Sequence, residues 1–361
     1  MENENKVRLI FSAIDKYETQ NIMEPTETDS HKGFITCGKY NDYLEYLNEL
    51  YRKVTILKSC VDTSTDFTCG NSITIGDPVW DNRVNDRLDN IEDLTKAITK
   101  DYFIYGGFAI NVVRNRAGQI AGLYHIPFER LRSNEYNTEF YYSKDWSKSY
   151  GRVRYTAYPK FDPEKADPSS IFYFNNNKGI TTYPIAPWAS ALECAEMQKK
   201  INEFHLNSLA NGFAGSYMIT FNNGVPNEKQ ADEIERDILE KFSGTENAGR
   251  IAISFADSKD HAAEIQKLEV DDFGTKYETL MTRSRDEILN AFRLNGQLIG
   301  INKENIGFNT QEFDDAFKLF NRTVIRPVQK ILARTYSFIL GKEITIVPFS
   351  LTADCENKVI E

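Results

Sequence analysis

Very little in this sequence marks a reactive site. Its five cysteines, Cys37, Cys60, Cys69, Cys194 and Cys355, are scattered over 361 residues, odd in number and without a Cys-x-x-Cys pair. That spacing excludes a zinc ribbon and leads us to expect a reducing compartment rather than a disulfide framework. The four histidines, His31, His125, His205 and His261, have no second histidine or cysteine at ligand spacing, so each reads as structural. The phosphate-cradling pattern Gly-x-x-x-x-Gly-Lys-Ser/Thr, the dinucleotide pattern Gly-x-Gly-x-x-Gly and the nucleophile elbow Gly-x-Ser-x-Gly are all missing. Gly106-Gly107, ahead of a strand pattern, reads as a turn or bulge. Runs of eighteen apolar residues are also missing, so we expect no membrane-spanning helix. The polar, acidic start, Met1 to Lys6, does not have the form of a secretory signal. Basic runs are absent and the net charge is -10, so tight binding of nucleic acid through its phosphates is not expected.

What is present is apolar bulk and clear periodicity. Hydrophobic residues make up 41% of the chain, with 23 phenylalanines and 19 tyrosines, enough for a sizeable core in one large domain or two to three smaller ones. Residues 1 to about 45 lack a clean period and read as a peripheral arm, with a short helix at Tyr43–Tyr51. Val54, Leu57, Val61 and Thr65 fall at helical spacing, and Gly70-Asn71 ends that helix before a strand holding Ile73 and Ile75. Val79–Lys100 reads as one broken or two short helices. Phe103–Arg132 is the clearest β signal, with strands Phe108–Val113 and Gln119–Ile126 around a turn at Arg116-Ala117-Gly118. Further strands are expected at Arg152–Ala157 and Ile171–Phe174, followed by a turn at Asn175–Gly179.

The character changes at Pro184. A helix opening at Pro187 carries Trp188, Ala191, Leu192, Ala195, Ile201 and Phe204 on one face and stops at Asn211-Gly212. A strand–helix–strand unit follows: Ser216–Phe221, a helix with Asn227 and Gln230 as a capping box, then Arg250–Phe255. The acidic run on that middle helix, Asp232 to Glu240, reads as a solvated face rather than a metal site. A second long helix runs from about Val270 with Phe273, Tyr277, Leu280, Met281, Ser284 and Ile288 on one face. After an irregular stretch, Asn309 and Glu312 cap a third long helix that should kink at Pro327 and end at Gly341. Ile344–Phe349 is a last strand.

Several stretches then resemble the portal (head–tail connector) proteins of tailed bacteriophages. "YGGFAINVVRNRAGQIAGLYHIPFERLR" resembles that family's Gly-x-Ala strand, Arg-x-x-Gly turn and Leu-x-x-Ile-Pro-x-x-Arg stretch. "NSLANGFAGSYMITF" is similar to its Phe-Ala-Asn-Gly helix exit, with Leu209 in place of Phe. "KFSGTENAGRIAI" resembles Gly-x-x-Asn-Ala-Gly-Arg, and "NRTVIRPVQKIL" keeps the Arg-Pro of its long helix. "RDEILNAFRLNGQLIG" departs from it, because Arg293-Leu294-Asn295-Gly296 stands where Gly-Val-Pro-Pro is usual. The resemblance covers roughly residues 50 to 350.

The resemblance implies an α+β portal-type fold: a β-rich wing, a two-helix stem, a small α/β clip, a tunnel loop and a long proline-kinked helix. The implied divisions are an arm at 1–45, a wing at 46–185, stem helices at 186–210 and 269–299, and a clip at 211–268. A tunnel loop follows at 300–309, the kinked helix at 310–341, and a C-terminal strand and tail with a reduced crown at 342–361. It implies a ring of this chain, usually of twelve subunits, at the capsid vertex of a virion assembled in the host cytoplasm. The implied partners are the large subunit of the terminase, a head–tail adaptor, the major capsid or scaffold protein and double-stranded DNA, with no membrane, no cofactor, no metal and no catalytic residue. Asn302, Lys303, Asn305 and Phe308 would face DNA in the tunnel loop. Phe213, Glu235, Arg236 and Asp237 would face the terminase from the clip. Two other readings stand beside this one: another ring-forming head or tail protein (an adaptor or capsid subunit), and an enzyme whose site is built from dispersed carboxylates.

Overall fold

The computed structural model describes residues 8–11, 27–29, 33–146, 153–210, 217–221, 233, 251–255, 273–301 and 310–349. They fall into two compact units, one of Met1–Ile22 with Met197–Met281 and one of Met23–Glu196 with Thr282–Glu361.

The smaller unit is built on a mixed sheet. Strand β1 (Arg8–Phe11) pairs antiparallel with a strand from the middle of the chain, Ile251–Phe255, and that strand pairs parallel with Tyr217–Phe221. The two middle strands match the sequence expectation to within a residue. Parallel neighbours require a crossover connection, and the helix expected at Asn227–Phe242 lies between them in sequence. Of that helix only Glu233 is described, in helical conformation and exposed.

The larger unit begins with β2 (Glu27–Asp29) and β3 (Ile35–Cys37). Here the expectation of a loose peripheral arm fails: Phe34 and Cys37 are buried, and β3 continues a five-stranded antiparallel sheet. Short strands of three residues leave too little pattern to be read from sequence. Helix α1 (Tyr43–Lys53) buries Tyr43, Leu44, Leu47, Leu50 and Tyr51, one stripe at helical spacing. Helix α2 (Thr55–Cys69) follows at once. It stops at Gly70, where φ is +67° and an added Cβ would lie 2.0 Å from the Val347 carbonyl oxygen. The chain then forms β4 (Ser72–Thr74) and α3 (Pro78–Asn82).

Helix α4 (Ile91–Tyr105) opens on a capping box in which Asn90 and Asp93 exchange side-chain and backbone bonds. It runs to Tyr105, so the expected β signal at Phe103–Tyr105 is helix instead. The apolar run there is buried as a helix end, and periodicity over three residues cannot separate the two. Gly106 terminates it in the left-handed region, within reach of the Ile185 carbonyl. Strands β5 (Gly107–Arg114) and β6 (Ile120–Ile126) form the expected hairpin. Next come β7 (Leu131–Ser133), β8 (Glu139–Tyr142), β9 (Thr156–Pro159) and β10 (Ser169–Asn175). β10 flanks β5 on its other edge, whereas β7, β8 and β9 complete the sheet of β2 and β3.

A 3-10 turn at Ala189–Ala191 precedes α5 (Leu192–Ala210), so the helix starts later than Pro187 suggested. Trp188 is fully buried instead, its Nε1–H donating to the Ile104 carbonyl at 3.2 Å. In chain order Tyr217–Phe221 is β11 and Ile251–Phe255 is β12. Helices α6 (Phe273–Phe292), α7 (Thr310–Phe320) and α8 (Arg326–Leu340) follow. Between α7 and α8 lies a π-helical turn, Asn321–Ile325. The disruption expected at Pro327 therefore takes this form, one turn earlier. Pro327 has no N–H for the Thr323 carbonyl and its ring crowds that oxygen, so the preceding turn widens. The last strand, β13 (Thr345–Val347), pairs with β4.

Candidate functional site

The connection between α6 and α7 is the stretch from which most was expected, and its two attachments are well defined. Helix α6 ends in a Schellman-type cap. Arg293 takes φ +55°, its N–H donates to the Asn290 carbonyl, and the Leu294 N–H donates to the Leu289 carbonyl, both at 3.0 Å. Leu289 and Leu294 are buried together in the main core. The Asn295 side chain then accepts from the Gln297 N–H and caps a 3-10 turn, Gly296–Ile299, closed by Gly300 at φ +82°. Leu298 is buried, and Ile299 and Ile301 pack on the same core. On the far side, Phe313 and Phe317 of α7 pack on it too. Gln297 Nε2 reaches Glu312 Oε2 at 3.4 Å, tying one attachment to the other. Asn302, Lys303, Asn305 and Phe308 lie outside the described residues.

In the smaller unit, α5 and α6 lie side by side. Gln198 Nε2 donates to the Met281 carbonyl at 3.4 Å, and the Phe204 and Tyr277 rings stand 5.6 Å apart, so the two helices run antiparallel. His205 packs edge-on against Tyr277 at 5.4 Å. Phe204, Leu206 and Leu280 of this pair are exposed. Phe213, Glu235, Arg236 and Asp237 lie outside the described residues, as do His31 and His261.

Sequence reading missed two polar clusters. Arg132 has no solvent exposure, yet each of its nitrogens is occupied. Its Nε donates to Asn41 Oδ1 and its Nη2 to the Asn41 carbonyl, both at 2.6 Å, while Nη1 donates to the Glu129 and Leu131 carbonyls. Nη2 also meets both Glu45 oxygens, at 3.1 and 2.9 Å, and the guanidinium stacks 5.0 Å from the Trp146 ring. Burial pushes the Glu45 carboxyl up and Arg132 pulls it back only in part. A cleft of about 580 Å³ opens above, lined by Asn41, Glu45, Arg52, Glu129, Lys144 and Trp146 among others. Beside it, His125 Nε2 meets Asp101 Oδ2 at 2.7 Å. Neither arrangement has a spacing signature, because its members come from separate elements. Among the described residues no group of three or more His, Cys, Asp or Glu could hold a metal ion, and no helix is long and apolar enough to cross a membrane.

A model of the family described as "Phage portal protein" matches residues 79–346. The chain belongs to the phage portal protein family. Portal proteins are structural rather than enzymatic. A protein of Rickettsia bellii (strain RML369-C), itself uncharacterized, is 27% identical over 166 residues, which are 44% of this chain and 41% of that relative. The matched stretch therefore spans well under half of the relative's length. Among solved structures, a chain from the virion of a native gene transfer agent particle superposes with a TM-score of 0.52 at 18% identity, over 84% of this chain and 83% of its own. A chain from the neck of the native particle, computed with C12 symmetry, gives 0.51 at 17% identity, over 86% and 85%. At such identities the likeness is one of fold. It agrees with the portal-type α+β architecture read from the sequence.

Proposed function

We propose that this portal protein forms a ring of identical copies at one vertex of a phage-type capsid, through which the terminase packages DNA and from which DNA later leaves into the tail. The family match over residues 79–346 carries this reading. The neck chain whose fold this one shares comes from a particle treated with C12 symmetry, which supports a ring of twelve. A closed ring of one chain uses two different faces of each subunit, and the exposed Phe204, Leu206 and Leu280 of the helix pair suit such a contact. In this reading α5 and α6 are the stem, and the unit of β11 and β12 is the clip, presenting Phe213, Glu235, Arg236 and Asp237 to the terminase and later to the adaptor. The connection at 300–309 is the tunnel loop. Asn302, Asn305 and Lys303 touch phosphates, with Phe308 beside them, each contact weak so that the duplex slides. Capsid or scaffold protein surrounds the ring, and assembly takes place in the host cytoplasm.

Deleting Lys303–Gly307 tests the channel assignment. Because the attachments at Gly296–Ile301 and Phe313–Phe317 are independently seated, the variant should fold and form rings, while packaged or retained DNA falls. Full packaging by this variant contradicts the tunnel-loop role. The charge reversal of Glu235 and Asp237 to Lys should leave rings intact and weaken terminase docking, and undiminished docking removes those residues from the clip surface.

A further inference from the structure

The buried cluster around His125 has no part in the portal reading, and its geometry points to a conformational device. His125 lies near the end of β6, on the edge of its sheet, with Ile110 of β5 as its cross-strand neighbour. Its Nε2 meets Asp101 Oδ2 of α4 at 2.7 Å, and Asp101 is only 7% exposed. Two residues separate His125 from the 3-10 turn Phe128–Arg130 that follows β6. Glu129 of that turn accepts from the Tyr105 hydroxyl of α4 at 3.1 Å. Other charges surround the pair. Asp89, before α4, acts on His125, and Glu45 of α1 acts on Tyr105. Arg130 lies close to Glu129. The charges acting on His125 are thus Asp101, Glu129 and Asp89, all carboxylates.

We propose that His125 and Asp101 form a proton-operated clasp: protonated His125 holds Asp101 and so fastens the end of β6, and with it the turn Phe128–Arg130, to α4, and loss of that proton releases them. A neutral imidazole leaves a buried carboxylate without its counter-ion, and an uncompensated buried charge is strongly disfavoured. The turn supplies Glu129 and Arg130 to the cleft that also holds Trp146, so its release alters that surface.

The direction of the pH effect follows from the titration of the pair. Burial lowers the His125 pKa, but Asp101 together with Glu129 and Asp89 outweighs it, and the net value lies above the usual one. A histidine raised in the folded state lends stability that is complete below its unfolded value, about 6.5, and is lost as pH rises through the folded value. Burial also raises Asp101, against the pull of His125, which favours the protonated pair in the same sense.

Hydrogen exchange of the full-length protein at about pH 6 and about pH 9 tests this. Protection factors, which already correct for the intrinsic rate, are read over Asp101–Tyr105 and Tyr124–Arg130. In the wild type they should fall severalfold at the higher pH relative to the rest of the larger unit. In His125→Gln and in Asp101→Asn the profile should be flat. The same pH profile in wild type and Asp101→Asn overturns the clasp. Exchange at the imidazole carbon of wild-type His125 reads its titration directly, without any variant. A midpoint at or below about 6.5 also overturns it.

Discussion

Arg132 shows how a charge is kept in a protein interior. It is fixed by hydrogen bonds to the carbonyls of Asn41, Glu129 and Leu131, a carboxylate and an aromatic face, so no donor is left facing an apolar wall. Replacing it with Met fills the volume but strands Glu45 and the Asn41 carbonyl, while the Asn41 side chain keeps only its bond from the Cys37 N–H. Because Glu45 stays partly exposed, the loss falls at the low end for a broken buried pair, about 3 kcal/mol. Urea denaturation of Arg132→Met should show this as a lower midpoint, and an unchanged midpoint would mean that the network does not hold the larger unit. Arg293 presents the opposite case. It occupies the left-handed conformation at the end of α6, at the position where relatives by resemblance carry glycine. A side chain there is strained by about 1 kcal/mol, and so Arg293→Gly should raise the unfolding midpoint rather than lower it. A destabilised variant would show that the Arg293 side chain makes a contact worth more than the strain.

At the scale of elements, the boundaries are set by close approaches and missing donors. Gly106 ends α4 in the left-handed region, where an added Cβ would meet the Ile185 carbonyl oxygen at 2.1 Å. Gly106→Ala should therefore lower stability by about 2 kcal/mol or more. Recovery of wild-type stability would show that the 184–186 segment yields easily. The π turn at Asn321–Ile325 is a one-residue excess in an otherwise α-helical run. Deleting exposed Arg322 should remove the residue in excess and leave a sharper kink at Pro327, at a cost of no more than about 3 kcal/mol. Deleting Gln329 within α8 should turn Leu332 and Tyr336 out of the core and prevent folding. Equal effects of the two deletions would remove the π turn as the point of slack. The long periodic helices and the β5–β6 hairpin were legible in the sequence, because burial of one face imposes a repeat of 3.6 or 2 over many residues. Strands β2, β3 and β7 were not, since three residues hold no period and their pairing partners are up to about a hundred residues away. The Arg132 and His125 clusters escaped for the same reason: their members meet only through tertiary packing. The channel residues Asn302, Lys303, Asn305 and Phe308 and the clip residues Phe213, Glu235, Arg236 and Asp237 came from resemblance and lie outside the described residues.

For the whole molecule, composition and family agree on a task that needs contact without tight binding. A chain of net charge -10 repels the phosphates of a duplex at long range, which suits the proposed channel, through which DNA would move in both directions. The same acidity opposes close assembly of like copies, so the subunit contact must be apolar, as the exposed Phe204, Leu206 and Leu280 suggest. Phe204→Asp should then weaken assembly while leaving the fold of the larger unit intact, which sedimentation and circular dichroism together would show. Unaltered assembly would place the contact elsewhere. The most direct test of the portal assignment is electron microscopy of the purified protein combined with its mass in native buffer. A ring of identical copies around a channel wide enough for duplex DNA, with residues 302–309 at the narrowest point, is the predicted result. A protein that stays monomeric at every concentration, or a closed shell without a channel, would contradict it.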